Sequence, residues 1–341
     1  MQKWEQIQGV YIHTPFCLQK CLYCDFASYA GADTETMEKY VDAVCSEIMM
    51  RSNEVTIADQ ATLYFGGGTP SLLSEKLLAK LVEALQKNGC WLQPAEATIE
   101  VNPGTADLDK LRFFKDLGFD RISFGVQSLN DAELRAVGRI HTANEALDAI
   151  TMAEKAGFTR VSADLIYGLP EQSLQTLKTS LQNLTAAGLQ HLSVYGLTIE
   201  KNTPLAGMLD KGKVELPDED CQLAMYELVQ EYLEAQGLHR YEISNYAVSG
   251  QESRHNLVYW HYLPYLSFGS SACSFNGSQR FTATDSVTDY IESIQSGKSC
   301  GGFEDLTKEM QLSEYLFMGL RTTVGIDLIE TEPVSYTHLR A

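Results

Sequence analysis

A chain of 341 residues can bury a large core and has room for one barrel-sized domain plus a smaller one. Its composition, 44% hydrophobic and 21% charged, is that of an ordinary soluble protein, and its formal net charge is −19. That charge argues against nucleic acid as a principal substrate, because phosphate binding rests on lysine and arginine; no apolar run approaches the roughly 18 residues that span a bilayer. The start, Met1-Gln2-Lys3-Trp4-Glu5-Gln6, has no signal-peptide core, so a cytoplasmic protein is expected, with at most peripheral membrane contact.

Candidate strands fall at residues 8–13, 61–66, 97–102, 121–126, 160–166 and 191–197. Between them, Met37, Tyr40, Val41, Val44 and Ile48 recur at helical spacing, as do Leu77, Leu78, Leu81, Val82 and Leu85. Thr142 with Glu145 forms a capping-box pattern ahead of another helix. Four joints share one grammar of helix end, glycine, hydrophobe and strand, at Gly118, Gly157, Gly188 and Gly237. Glycine suits such joints because the residue after a helix often needs a left-handed backbone. Repeated helix-to-strand joints predict a parallel α/β sheet, and six strands close only part of a (β/α)8 barrel. The expected organisation is a partial (β/α)6 barrel over 1–237 and a smaller α+β region over 238–334. The last residues, 335–341, continue no pattern and read as a non-native tail after a truncated C-terminus.

Directly after the first strand comes Phe16-Cys17-Leu18-Gln19-Lys20-Cys21-Leu22-Tyr23-Cys24. The spacing lets one loop aim three thiolates at a single point, where they fit three irons of a [4Fe–4S] cube and leave the fourth open. A zinc site is the main alternative, with His13 as the fourth ligand; a disulfide reading fits an odd cluster of three poorly. The other cysteines, Cys45, Cys90, Cys221, Cys273 and Cys300, are scattered and read as reduced, mostly buried thiols.

Reactive loops of parallel barrels follow the C-terminal strand ends. Here those ends carry Gly66-Gly67-Gly68-Thr69-Pro70, Glu100-Val101-Asn102-Pro103-Gly104, Gly125-Val126-Gln127-Ser128, Arg139 in Gly138-Arg139-Ile140-His141, and Asp164 ahead of Gly168-Leu169-Pro170. The glycine triplet lacks the ending of a nucleotide-triphosphate loop; it is either a tight turn or a strand edge that a small ligand can approach. Each polar residue taken singly also reads as one that merely faces water.

The stretches YIHTPFCLQKCLYCDF, FGGGTPSLL, EVNPG, RISFGVQS, GRIH, DLIYGLPEQS and HNLVYW, in that order, resemble the radical S-adenosylmethionine enzymes. Within them the chain is similar to the oxygen-independent coproporphyrinogen III oxidase family. The resemblance implies that Cys17, Cys21 and Cys24 hold the cluster, and that S-adenosylmethionine chelates its open iron. It implies that Tyr11, Tyr23, Gly67, Gly68, Thr69 and Glu100 line that cofactor's bed, and that Gln127, Arg139 and Asp164 face a second ligand. The oxidases carry a further cysteine two positions after the third, where this chain has Phe26, and a longer N-terminal segment. Both departures make the chain look like the HemW group of haem chaperones, with haem-accepting proteins and an electron donor as partners. The alternative is the dehydrogenase that makes protoporphyrinogen IX. The resemblance also singles out His255 in His255-Asn256-Leu257-Val258-Tyr259-Trp260 as a haem ligand, since imidazole ligates iron and flat rings pack on the macrocycle; a packed core histidine is the other reading. Cys273 stands where some relatives would have a histidine, so a second haem ligand is not identified.

Overall fold

The computed structural model describes residues 4–91 and 93–327. The expected tail at 335–341, and the end of the expected C-terminal region, lie outside the described residues. All six expected strands form: β1 (Trp4–Thr14), β2 (Val55–Gly67), β3 (Ala97–Val101), β4 (Arg121–Gln127), β5 (Arg160–Tyr167) and β6 (His191–Gly196). They pair in parallel, in chain order. The helices follow the sequence signals closely, at Thr34–Arg51, Glu75–Lys87 and Ala143–Lys155, the last opening on the Thr142–Glu145 capping box. The four joint glycines have φ between +79° and +103°, the left-handed turn their positions call for.

β1 and β2 are longer than their apolar patterns. Their early residues pair irregularly, Trp4 with Val55 and Ile7 with Ile57, with register shifts before the regular pairing starts at Gly9 and Thr62. Bulged pairing breaks the period-two signal, which is why the sequence reading started both strands late.

The chain after residue 238 adds strands to both edges of the same sheet. β7 (His239–Arg240) and β8 (Asn245–Ala247) run antiparallel beyond β6. On the other side β9 (Tyr265–Phe268) pairs parallel with β1, register Tyr11 to Ser267, making a seventh parallel strand. β10 (Cys273–Phe275), β11 (Gln279–Ala283) and β12 (Gly301–Asp305) continue from it antiparallel.

The two faces of the parallel strands differ sharply. Leu63, Phe65, Ile99, Val101, Ile122, Phe124, Val126, Ala163, Leu165, Leu192 and Val194 are buried and join the helix residues in one apolar core. The alternate positions point inward and are polar or aromatic: Tyr64, Thr98, Glu100, Arg121, Ser123, Ser162, Asp164, His191 and Ser193. The barrel is therefore filled not by layers of branched aliphatics but by a cavity.

The cavity floor is set by buried charge. Glu96, fully buried, pairs with Arg160 at 2.6 Å and lies 3.7 Å from the buried Arg121. Its other oxygen accepts the backbone N–H of His255 at 3.1 Å. Arg121 donates to the carbonyl of Gln251 at 2.9 Å and Arg160 to that of Glu252 at 3.1 Å. These bonds hold the short helix Arg254–Trp260 across the bottom of the barrel. Among the described residues no helix is long and apolar enough to cross a membrane.

Candidate functional site

The cysteine loop is held in place by backbone bonds that do not involve its sulfurs. Leu22 N–H donates to Val137 O at 3.0 Å, and Leu22 O accepts from Leu205 N–H at 2.9 Å. Phe16 and Cys17 pair in parallel with Tyr29 and Ala30. The three thiols are free and half-buried. They line one side of a cavity of about 140 Å³ whose other walls are Gly67, Gly68, Thr69, Glu100, Asn102, Gln127, Arg139 and Asp164. So the loop aims its thiols at one cavity rather than at one point. Among the described residues no three His, Cys, Asp or Glu side chains converge as ligands of a single ion.

His13 takes no part in that set. Its Nε2–H donates to Ala27 O at 3.0 Å, and its Nδ1 accepts the Tyr11 hydroxyl at 3.1 Å. With both nitrogens committed, the zinc alternative loses its fourth ligand.

The glycines are explained by close approach. A Cβ on Gly68 would lie 2.7 Å from Phe16 O and 2.9 Å from the Pro15 carbonyl carbon, and one on Gly67 would meet the His13 ring at 2.5 Å. Gly67 also has φ +110°. The triplet lets the start of the cysteine loop lie against the end of β2, and so brings thiols and strand ends to one place. Gly68→Ala should displace backbone that has no room to move, costing about 1–3 kcal/mol. Iron loading should fall with the melting temperature; a variant that melts and loads like wild type would show that the loop does not depend on this contact.

Side chains from other loops donate to two of the sulfurs. Thr69 Oγ1 donates to Cys17 Sγ at 3.6 Å, and Arg139 Nη1 to Cys21 Sγ at 3.4 Å. Asn102 ties the two donors together, giving its Nδ2–H to Thr69 Oγ1 at 2.7 Å and accepting from Arg139 Nη2 at 2.8 Å. Arg139 also donates to Gly125 O. Asn102 was not singled out in the sequence; the signal was its place one residue past a strand end, inside the quoted EVNPG.

Glu100 stands between the small cavity and a larger one of about 680 Å³ that runs down to His255. It accepts from Tyr64 hydroxyl at 2.6 Å and from Gly67 N–H at 3.1 Å. Loss of water pushes its carboxyl up to about 7, helped by nearby Asp164 and opposed by those two bonds. Asp164 is pushed up to about 6, again by burial first, against hydrogen bonds from Ser193 and Ser123. Both carboxyls thus exchange protons near neutrality. Gln127 lines both cavities with φ +67°, a conformation that costs on the order of 1–3 kcal/mol and recurs at functional sites. Tyr23 borders both cavities, and Tyr11 the larger one, stacked on Tyr64 with ring centroids 6.0 Å apart. Every site residue expected from the sequence borders one or both cavities.

The chain matches the Radical SAM superfamily over residues 11–184. It is 36% identical to the heme chaperone HemW of Bacillus subtilis, covering 94% of this chain and 85% of that protein. HemW of Synechocystis is also 36% identical, over 96% of this chain and 81% of that one. The chain belongs to the HemW family of radical SAM proteins. Coproporphyrinogen III oxidase of Escherichia coli, described as a radical SAM enzyme, shares the fold at TM-score 0.83 and 23% identity, over 97% of this chain and 79% of that one.

Membership in the superfamily implies a [4Fe–4S] cluster and S-adenosylmethionine. The donor set fits such a cluster: three free thiols on a preformed loop, two of them already hydrogen-bonded, facing a cavity with glycine walls. His255, in contrast, is built into this HemW relative as a packed residue. Its Nδ1 lies 2.7 Å from Thr62 Oγ1 and its Nε2 2.8 Å from the Tyr259 hydroxyl, so both ring nitrogens are hydrogen-bonded within the protein. Burial pushes its pKa down to about 3, so the ring is neutral. A metal at Nε2 would have to displace Tyr259.

Proposed function

We propose that this chain binds haem and passes it to acceptor proteins, as the name of its HemW relatives states for them. The observation that carries the proposal is 33–36% identity to those proteins over 93–96% of this chain. Cys17, Cys21 and Cys24 hold the cluster, and Tyr11, Tyr23, Gly67, Gly68, Thr69 and Glu100 hold S-adenosylmethionine. When bound, that pair supplies one-electron chemistry at a sulfonium.

The chain's own residues prepare the place. Arg139 and Thr69 direct hydrogen bonds at two sulfurs, which sets the orientation of those side chains. Glu100 accepts donors at the boundary of the two cavities, and Gln127 and Asp164 offer a second set of polar atoms one and two strands further on. The larger cavity, with Tyr23, Phe26, Ile166, Tyr195 and Leu197 in its walls, offers flat and apolar contacts of the kind a porphyrin needs. His255 serves as haem ligand only if Tyr259 releases its Nε2.

The test is a titration of the anaerobically reconstituted protein with haem, followed by its Soret absorption, beside an assay with coproporphyrinogen, S-adenosylmethionine and reductant. Saturable haem binding with no protoporphyrinogen is expected. Turnover of coproporphyrinogen would replace the chaperone reading with the dehydrogenase one. His255→Ala should weaken haem binding; unchanged binding would place the ligand elsewhere.

A further inference from the structure

Glu133, in the short helix Asp131–Ala136 that follows β4, is a fully buried carboxylate whose side-chain partners are both neutral. Its Oε2 accepts from Ser128 Oγ at 2.6 Å and from Gln172 Nε2 at 3.1 Å. Its Oε1 has no hydrogen-bond partner among the described residues. Buried charges are ordinarily paired with an opposite charge or a metal, so packing alone does not account for a carboxylate held by two neutral donors.

The partners show what the position holds together. Gln172 spends its whole side chain there. Its Oε1 accepts the backbone N–H groups of Gly168 at 2.7 Å and Leu169 at 3.3 Å, and its Nε2 also donates to Ile166 O at 3.0 Å. Ser128 Oγ accepts from Asn130 N–H at 2.9 Å, and Ser128 N–H reaches Val126 O at 2.9 Å, across the strained Gln127. Glu133 thus ties the ends of β4 and β5 to one helix.

The cysteine loop rests on that joint. Val137, one turn after Glu133, is buried with Ile166 and Leu169, and Tyr23 packs on the three. Val137 O accepts Leu22 N–H, and Gly138 O accepts Gln19 Nε2 at 3.1 Å. Gly138 lies so close to the loop that a Cβ would sit 3.0 Å from Leu22 Cγ. Arg139 comes next and donates to Cys21 Sγ.

We propose that Glu133 is a positioning residue for the cysteine loop. It touches no sulfur. With Ser128 and Gln172 it fixes the segment 137–139 on which the loop closes, and so sets Arg139 against Cys21. A hydrogen bond to a cluster sulfur stabilises the added negative charge of the reduced state, so its loss lowers the reduction potential.

The inference rests on the cluster reading of the loop, not on haem delivery. Wild type, Glu133→Ala, Glu133→Gln and Gln172→Ala are reconstituted anaerobically with iron and sulfide, and their folding is checked by circular dichroism. The rate of iron loss to a chelator and the midpoint potential of the cluster are then measured. Glu133→Ala should lose iron several-fold faster than wild type and show a lower potential. Glu133→Gln keeps an oxygen that can accept both donors and should restore both readouts. Gln172→Ala should match Glu133→Ala, and the two combined should be no worse than either, as expected of one joint. If Glu133→Ala does not fold, Gln172→Ala and Ser128→Ala carry the same test. Variants that merely melt earlier, with iron loss and potential as in wild type, would reduce Glu133 to a packing role and overturn the inference. Glu133→Gln as impaired as Glu133→Ala would overturn the hydrogen-bonded joint. A wild-type protein that takes up no iron and sulfide would instead end the cluster reading itself.

Discussion

Replacing any one of Cys17, Cys21 and Cys24 by alanine is expected to give a folded protein that retains almost no iron or sulfide. The three thiols are the whole cysteine contribution to the cavity, since Cys45, Cys90, Cys221, Cys273 and Cys300 do not line it. A cube held at two corners loses the chelation that makes a cluster site stable in water. The fold should survive, because the loop is fastened by Val137, Leu205 and the pairing of Phe16 with Tyr29, none of which passes through sulfur. Circular dichroism close to wild type, with iron and sulfide near background after anaerobic reconstitution, is the expected pair of results. Full loading in a triad variant, or loss of loading in Cys45→Ala, would move the ligands elsewhere.

The largest effect on stability is expected at Glu96. Removing its carboxylate leaves Arg160 and the almost wholly buried Arg121 without their common counter-charge, and frees the backbone N–H of His255. Breaking a buried pair in this way costs about 3–5 kcal/mol, because the stranded charge has no water to return to. Asp120, 3.6 Å from Arg160 and partly exposed, offsets little of that. Chemical denaturation of Glu96→Ala should show the loss, and the larger cavity should lose its floor. A cost under about 1 kcal/mol would mean that Arg121 is satisfied by its carbonyl bonds alone.

Much of the site was legible because its residues cluster at loci the sequence marks. The cysteine spacing, the glycine triplet and the polar residues at the strand ends each announce themselves, and the structure lines the three cysteines, Gly67, Gly68, Thr69, Glu100, Gln127, Arg139 and Asp164 along two adjoining cavities. Asn102, Tyr64 and Tyr259 were less visible, since their roles depend on which strand lies next to which. Tyr64 meets Tyr11 only because β1 and β2 pair in that register.

The alternation in Ala97-Thr98-Ile99-Glu100-Val101 and Arg160-Val161-Ser162-Ala163-Asp164 was present in the sequence too. In a linear reading its polar face could as well face bulk water as an interior. Parallel strands buried on both sides usually read as continuous apolar runs, so a polar inner face is the mark of a barrel that keeps a cavity.

By itself, the sequence determined the parallel α/β order, the helix joints and the cysteine loop, because local backbone preference and ligand spacing are written in neighbouring residues. Tertiary structure alone decided three other things. It committed both nitrogens of His13 and of His255 to protein partners, joined Thr69, Asn102 and Arg139 behind the sulfurs, and brought β9 back beside β1. Tyr11–His13 and His255–Tyr259 are local contacts, but each of the three outcomes also needs residues distant in the chain, such as Thr62 with His255 and Asn102 with Arg139, to meet at hydrogen-bond distance, which no local pattern encodes.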